Sequence, residues 1–247
     1  MSILQLEASE LYEKIRNAGK RNIVLEGGAR SSKTYSVLIY FITDAFQSTT
    51  PKDYDIVRQT LPALKASAMK DFFEILKVNG LYKEADHNMS DHSYRLHGCT
   101  FHFYSADDTQ KLRGRKRNKI LLNEANELSL DTYRQVAMRT TEQILMDYNP
   151  SEEESWIYDH VIPREDCAFL QSTYVDNPFL EESLVEEIER LKTDDPEYWK
   201  IYGLGMRGKR TGLIYPNFKI VPEFPDCSDI LYGLDFGFND PKVVIKL

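Results

Sequence analysis

Between Asn22 and Glu26 the chain carries an unbroken apolar run (Ile23, Val24, Leu25), which ends at Gly27-Gly28. A helical apolar pattern then opens at Tyr35 and continues through Val37, Leu38, Ile39, Tyr40 and Phe41. The first reads as a buried strand and the second as a helix, joined by a short loop of small residues. Upstream, residues 7 to 18 alternate as an amphipathic helix closed by Gly19. Downstream, Tyr54 to Arg58 predicts a second strand and Ala63 to Val78 a second long helix ended by Asn79-Gly80. Strand, helix, strand, helix predicts an α/β fold with a mostly parallel sheet and flanking helices.

Residues Ser93 to Ser105 alternate around Gly98-Cys99, which is a hairpin signal. Lys119 to Glu124 predicts a further strand, Leu130 to Arg139 a helix, and Gln143 to Tyr148 another strand, ending in Asn149-Pro150-Ser151. From Glu152 the texture changes. Short helices (Glu154 to His160, Leu180 to Leu191, Pro196 to Tyr202) surround one strand, Ala168 to Tyr174, which predicts a small helical subdomain over the site. The last stretch, Ile230 to Leu247, reads as two strands around a turn, the first hairpin of a further domain. The expected boundaries are therefore a core over 1–150, a lid and linker over 151–212, and a hinge with the start of another domain over 213–247.

Composition narrows the class. The 247 residues are 42% hydrophobic and 28% charged, as in a folded soluble protein. No apolar run reaches the ~20 residues of a membrane span, and the first residues lack a signal-peptide pattern, so a cytoplasmic location is expected. Three scattered cysteines form no C-x-x-C pair and indicate neither a disulfide framework nor a zinc site. His87, His92, His97 and His102 recur every five residues, a spacing that fits neither a helix face nor a strand face. A net charge of −8 excludes a surface that grips nucleic acid everywhere, which leaves local patches.

The loop Gly27-Gly28-Ala29-Arg30-Ser31-Ser32-Lys33-Thr34 has the layout of a phosphate-binding loop. Small side chains let backbone N–H groups wrap a triphosphate. Lys33 would then reach the terminal phosphates and Thr34 would ligate Mg²⁺ at a helix N-terminus that already favours anions. Ser32 stands where the pattern has its second glycine, and serine does not tolerate positive φ as glycine does. The strand ending in Asn123-Glu124 supplies the other half of such a site, with Asn123 accepting a hydrogen bond from a metal-bound water and Glu124 as general base. Asn149, at the end of the next strand, is placed to sense the γ-phosphate, because ligands collect at the carboxyl ends of parallel strands. Lys111 to Lys119 holds six cations in nine residues, readable as a solvated loop or as a phosphate- or neighbour-contacting one.

Taken together, these pieces resemble the large subunit of a tailed-bacteriophage terminase. GGARSSKT is similar to that family's phosphate loop, LRGRKRNKILLNEANEL to its basic loop and acidic strand, and DYNPS to its coupling motif. STYVDNPFL resembles its lid, YGLGMRGKRTGLIYPNF its hinge, and GLDFGFNDP the first strand of its RNase H-like nuclease. The resemblance implies a P-loop NTPase of the ASCE, RecA-like type whose ATP hydrolysis, with Mg²⁺, moves double-stranded DNA into a procapsid. It implies Arg30 and Arg113, less securely Arg115, as arginines acting on ATP, with Arg113 serving a neighbouring subunit. It further implies Asp235 as a nuclease metal ligand for Mg²⁺ or Mn²⁺ in a site whose other acids lie beyond Leu247. Lys111, Arg115, Lys116 and Arg117 become candidates for contact with DNA. The implied partners are viral DNA, a portal protein, a small terminase subunit and copies of the same chain in a ring, in the cytoplasm of an infected bacterium. Two rivals remain: another RecA-like helicase or translocase, and a nucleotide-binding switch without useful hydrolysis, which the neutral Asn123 favours.

Overall fold

The computed structural model describes residues 6–150, 155–207, 232–235 and 243–246. The chain divides into two compact units, Met1–Thr211 and Gly212–Leu247. In the first, α1 (Glu10–Asn17) leads to β1 (Asn22–Gly27), α2 (Lys33–Gln47) and β2 (Asp53–Arg58). Then come α3 (Leu61–Ala66), α4 (Ala68–Val78), β3 (His87–Asn88), β4 (Ser93–Leu96), β5 (Cys99–Ser105), α5 (Thr109–Gly114) and β6 (Arg117–Asn123). They are followed by α6 (Leu130–Ala137), β7 (Thr140–Tyr148), α7 (Trp156–His160), β8 (Cys167–Ser172), α8 (Glu182–Asp194) and α9 (Pro196–Tyr198), which runs into a π turn over Trp199–Gly203.

One eight-stranded sheet has the order β3-β4-β5-β2-β6-β7-β1-β8. From β5 to β8 neighbouring strands are parallel, and β3 and β4 close one edge antiparallel. Burial on both faces explains why β1 is apolar along most of its length. Alternation divides the interior in two. Ile23, Leu25, Leu121 and Leu145 pack with α1, α2 and α4, whereas Val24, Ile120, Leu122, Ile144 and Met146 face α5, α6 and α7. The parity of this pattern puts Asn123 and Asp147 on the α2 face, where the loop between β1 and α2 lies.

Three local departures from the sequence reading have clear causes. The helix expected over Ala63 to Val78 breaks at Ser67 (φ −122°, ψ −112°), whose hydroxyl donates to Ala63 O at 2.8 Å and to Asn123 Oδ1 at 3.2 Å. The strand expected inside a helical lid is β8, which pairs in register with β1 from Asn22–Cys167 to Gly27–Ser172 and so belongs to the main sheet. Arg117, expected on a DNA-facing surface, is 1% exposed. Its Nε lies 2.9 Å from Asp55 Oδ2, an ion pair without in-line hydrogen-bond geometry, and its Nη2 donates to Leu112 O and Arg115 O. Arg117 therefore ties the end of α5 to β2. The reason is the register shift in the β6–β7 ladder between Arg117 and Lys119, which puts Arg117 on the α5 face with Asp55 and Leu112 whereas Lys119 meets Asp44 on the α2 face.

In the second unit Tyr232–Asp235 (β9) pairs antiparallel with Val243–Lys246 (β10), with Asp235 opposite Val243. The Asp235 and Lys111 side chains, the basic residues Lys209 and Arg210, and the hinge from Gly212 to Pro216 lie outside the described residues.

Candidate functional site

The loop between β1 and α2 owes its shape to two close backbone approaches. A Cβ on Gly27 would lie 2.0 Å from Ser172 O, and one on Gly28 would lie 2.3 Å from Tyr202 O. These glycines thus admit the end of β8 and the π turn, rather than leaving room for a ligand. Their N–H groups, and that of Ala29, were expected to wrap phosphate. Instead Gly28 N–H donates to Ser172 O at 3.1 Å and Ala29 N–H to Tyr202 O at 2.7 Å. The anion cup is shorter: among the described residues, the N–H groups of Arg30 to Thr34 meet no protein acceptor. They crown the N-terminus of the 15-residue α2. Arg30 (φ 61°) and Ser32 (φ 60°) both take left-handed backbone, the alternation that turns successive N–H groups into one concavity. Ser32 adopts the conformation a glycine would have taken more cheaply, at about 1 kcal/mol.

Lys33 is buried and its ammonium donates to Gly27 O (3.0 Å), Gly28 O (2.8 Å), Ser31 Oγ (3.1 Å) and Asn149 Oδ1 (2.9 Å). Burial lowers its pKa to about 8 against the pull of the Asp147, Glu124 and Glu26 carboxylates. Arg30, Ser31, Ser32, Lys33, Thr34, Glu124, Asp147, Asn149 and Asn177 line one cavity of about 310 Å³ at the carboxyl ends of the strands. Asn177, just beyond β8, reaches in to donate to Arg30 O at 2.8 Å.

Across the cavity, Glu124 follows β6 in left-handed backbone (φ 51°, ψ 58°), with its N–H donating to Asp147 Oδ1 at 3.0 Å. The conformation turns its side chain out of the strand's alternation and into the cavity. The turn behind it is clamped by Arg58, whose Nε and Nη2 hold Glu127 at 3.2 and 3.0 Å while Nη1 donates to Ser67 Oγ. Burial, then the Asp147 charge, pushes the Glu124 carboxyl up from 4.5 to about 7. The folded protein therefore keeps a proton that the unfolded chain releases between pH 4.5 and about 7, so this group's contribution to stability is lost as pH rises across that window. Thermal unfolding from pH 4.5 to 8 should show this decline, and Glu124→Gln should flatten the part due to Glu124.

Asn123 does not offer the oxygen expected of it. Its Oδ1 accepts from Ser67, and its Nδ2 donates to Asp147 Oδ1 (3.0 Å), Asp147 Oδ2 (3.2 Å) and Thr34 Oγ1 (3.3 Å). The opposite amide orientation would set an oxygen against a carboxylate, so the network fixes this one. The buried acid beside Thr34 is Asp147, which lines the cavity with Glu124 and Asp71 and which sequence reasoning missed although it stands two residues before Asn149. Thr34 Oγ1 donates to its Oδ2 at 2.5 Å, and it is 1% exposed. Arg58 and Asn177 were likewise unread.

Arg30 is exposed at the cavity mouth. Arg113 and Lys116 are exposed and Arg115 is partly so, but none lines the cavity, and Lys111 lies on α5 beside them.

A parallel sheet of this order, with an anion cup after β1 and a carboxylate at the end of β6, defines a P-loop NTPase fold. The profile described as phage terminase large subunit matches residues 19–206, and the chain belongs to that family. It is 23% identical over 260 residues to the PBSX phage terminase large subunit of Bacillus subtilis (strain 168), covering 90% of this chain and 60% of that protein. It is 22% identical over 267 residues to the terminase large subunit of Bacillus phage SPP1, covering 96% of this chain and 62% of that one. The chain thus spans about three fifths of the length of these relatives. Its fold matches a large terminase from a thermophilic bacteriophage solved with ADP, at a TM-score of 0.70 and 19% identity, over 97% of this chain and 64% of that one. The same terminase has been solved with ATP-gamma-S.

Proposed function

We propose that this chain is the ATP-hydrolysing part of a viral DNA-packaging motor, coupling hydrolysis to the movement of double-stranded DNA into a procapsid. One observation carries the reading: the N–H cup and Lys33 face Glu124 and Asn149 across a single cavity, on the ends of β6 and β7. Membership of the terminase family and the nucleotide complexes of a similar terminase agree with it.

In this reading the N–H groups of Arg30 to Thr34 bind the phosphates. The Lys33 ammonium leaves its loop carbonyls for the terminal phosphate oxygens, a transfer between oxygen acceptors that keeps it solvated. Glu124 orients a water molecule and takes its proton. Asn149, which accepts a hydrogen bond from Lys33, reports that transfer to β7 and so couples turnover to movement. The residues fit a divalent cation, since the Thr34 hydroxyl adjoins a buried carboxylate and both are hard oxygen donors. Mg²⁺, when bound with ATP, would neutralise phosphate charge, and Thr34 would hold it. Arg30 acts within the site and Arg113 on the ATP of a neighbouring copy in a ring. Portal protein, small terminase subunit and DNA are the partners in the infected cell's cytoplasm, with Lys111, Arg115 and Lys116 the DNA contacts. Asp235 would contribute to a nuclease centre that requires further carboxylates.

Titration calorimetry with ATP and Mg²⁺ tests the binding step, with Lys33→Ala expected to weaken affinity at least tenfold. Turnover per chain should be slow when dilute and rise with self-assembly, because an arginine given in trans accelerates related chemistry by roughly 10³–10⁵-fold. Fast turnover that ignores protein concentration would sink the ring.

A further inference from the structure

The nucleotide reading leaves one question open, namely which group answers the cation's charge when the expected position, 123, is neutral. Asn123 and Asp147 are register partners on the adjacent parallel strands β6 and β7, and both point to the α2 face. Asp147 is also the register partner of Leu25 on β1, two residues before the phosphate loop begins. Asp147 thus lies one strand nearer the loop than Asn123 does.

Three neutral donors address Asp147: the Thr34 hydroxyl, the Asn123 amide and the Glu124 N–H. Lys33 spends its protons on the loop carbonyls, Ser31 and Asn149 instead. The Asp147 carboxylate, 1% exposed, takes its hydrogen bonds from neutral donors alone, with the Lys33 ammonium acting on it only through its charge, and a cation beside Thr34 would add to that compensation. The donor nearest the nucleotide cavity is the Thr34 hydroxyl, the group that holds a cation in the proposed reading.

Resting on that nucleotide reading, we infer that Asp147 is the acid facing the water shell of the nucleotide's divalent cation, with Asn123 as its positioning residue. The two form a carboxylate–amide pair across two in-register strands. Asp147 acts by accepting hydrogen bonds from cation-bound water and by fixing the Thr34 hydroxyl. Asn123 fixes both carboxylate oxygens and is itself fixed by Ser67 at the break between α3 and α4.

The test measures the full chain's affinity for ADP in EDTA and in Mn²⁺, with bound Mn²⁺ counted by electron paramagnetic resonance. Asp147→Asn should weaken Mn²⁺ in the nucleotide complex by roughly 10–100-fold, the usual effect of losing such an outer partner. Its metal-free ADP affinity should stay within about threefold. The double exchange Asn123→Asp with Asp147→Asn keeps the number and type of groups, covers the case in which the single variant does not fold, and should recover most of the Mn²⁺ affinity. Unchanged Mn²⁺ affinity in Asp147→Asn, an equal loss with and without metal, or a folded exchange variant no better than the single one would each overturn the inference. Failure of the unaltered chain to bind ADP under either condition would instead remove the nucleotide reading beneath it.

Discussion

Glu124→Gln is expected to lower ATP turnover by roughly 10²–10⁴-fold, the range lost with a positioned general base. That equals about 3–5 kcal/mol of barrier. Glutamine keeps the shape and leaves the Glu124 N–H bond to Asp147 untouched, because that bond is made by the backbone. Nucleotide affinity should accordingly stay within about threefold, as the binding groups belong to the loop and α2. A site poised this way has a base matched to neutral pH, since burial and Asp147 hold the Glu124 carboxyl at about 7. Single-turnover hydrolysis beside equilibrium binding of a nonhydrolysable analogue separates the two quantities. A nucleotide-binding switch would lose nothing in this variant, so an unchanged rate would favour that rival.

Arg117→Ala is expected to destabilise the folded chain by about 3–5 kcal/mol, because it takes the cation from the buried Asp55 carboxyl, whose pKa burial already pushes up. For a domain of this size that is a fall of roughly 10 °C in Tm. Both side chains of the pair are 0% exposed, and Asp55 keeps only the Tyr104 hydroxyl, at 2.6 Å, as a donor. The loop of α5 also loses the two bonds from Arg117 to Leu112 O and Arg115 O. By contrast, Lys116→Ala and Arg113→Ala remove exposed charges and should shift stability by no more than about 0.5 kcal/mol. Differential scanning calorimetry on the three variants makes the comparison. If Arg117→Ala melts like Lys116→Ala, the buried ion pair does not hold β2 to the end of α5.

How much of the fold was legible depended on how local each signal is. The hairpin itself was readable from Gly98, but its left-handed turn is His97-Gly98 (φ 49° and 79°), one residue before the expected Gly98-Cys99, because Cys99 already pairs with Leu96 in the ladder. The break at Ser67 was not readable, because the hydroxyl that interrupts the helix is held by Arg58 and Asn123 from two other strands. Ser32 was read as a poor substitute for glycine, yet it takes the left-handed backbone; the packed loop imposes a conformation that local preference disfavours. Arg117 was grouped with its basic neighbours by sequence, and a register irregularity at the start of β6, which no local pattern announces, turns it to Asp55 and away from the face that Lys119 takes.

The sequence by itself determined the small-residue loop between β1 and α2, the strand that carries Glu124 to its carboxyl end, and Asn149 as the polar tip of a third strand. Each is written in a few consecutive residues whose spacing sets a turn or a strand end. Only the tertiary structure decided that Asp147 is the buried acid beside Thr34, that Gly27 and Gly28 admit Ser172 and Tyr202, and that Arg58 and Asn177 support the cavity. Those facts depend on which strands are neighbours and in what register. Alternation along a chain tells which face a side chain takes, but the strand beside it is chosen by the packing of the whole sheet.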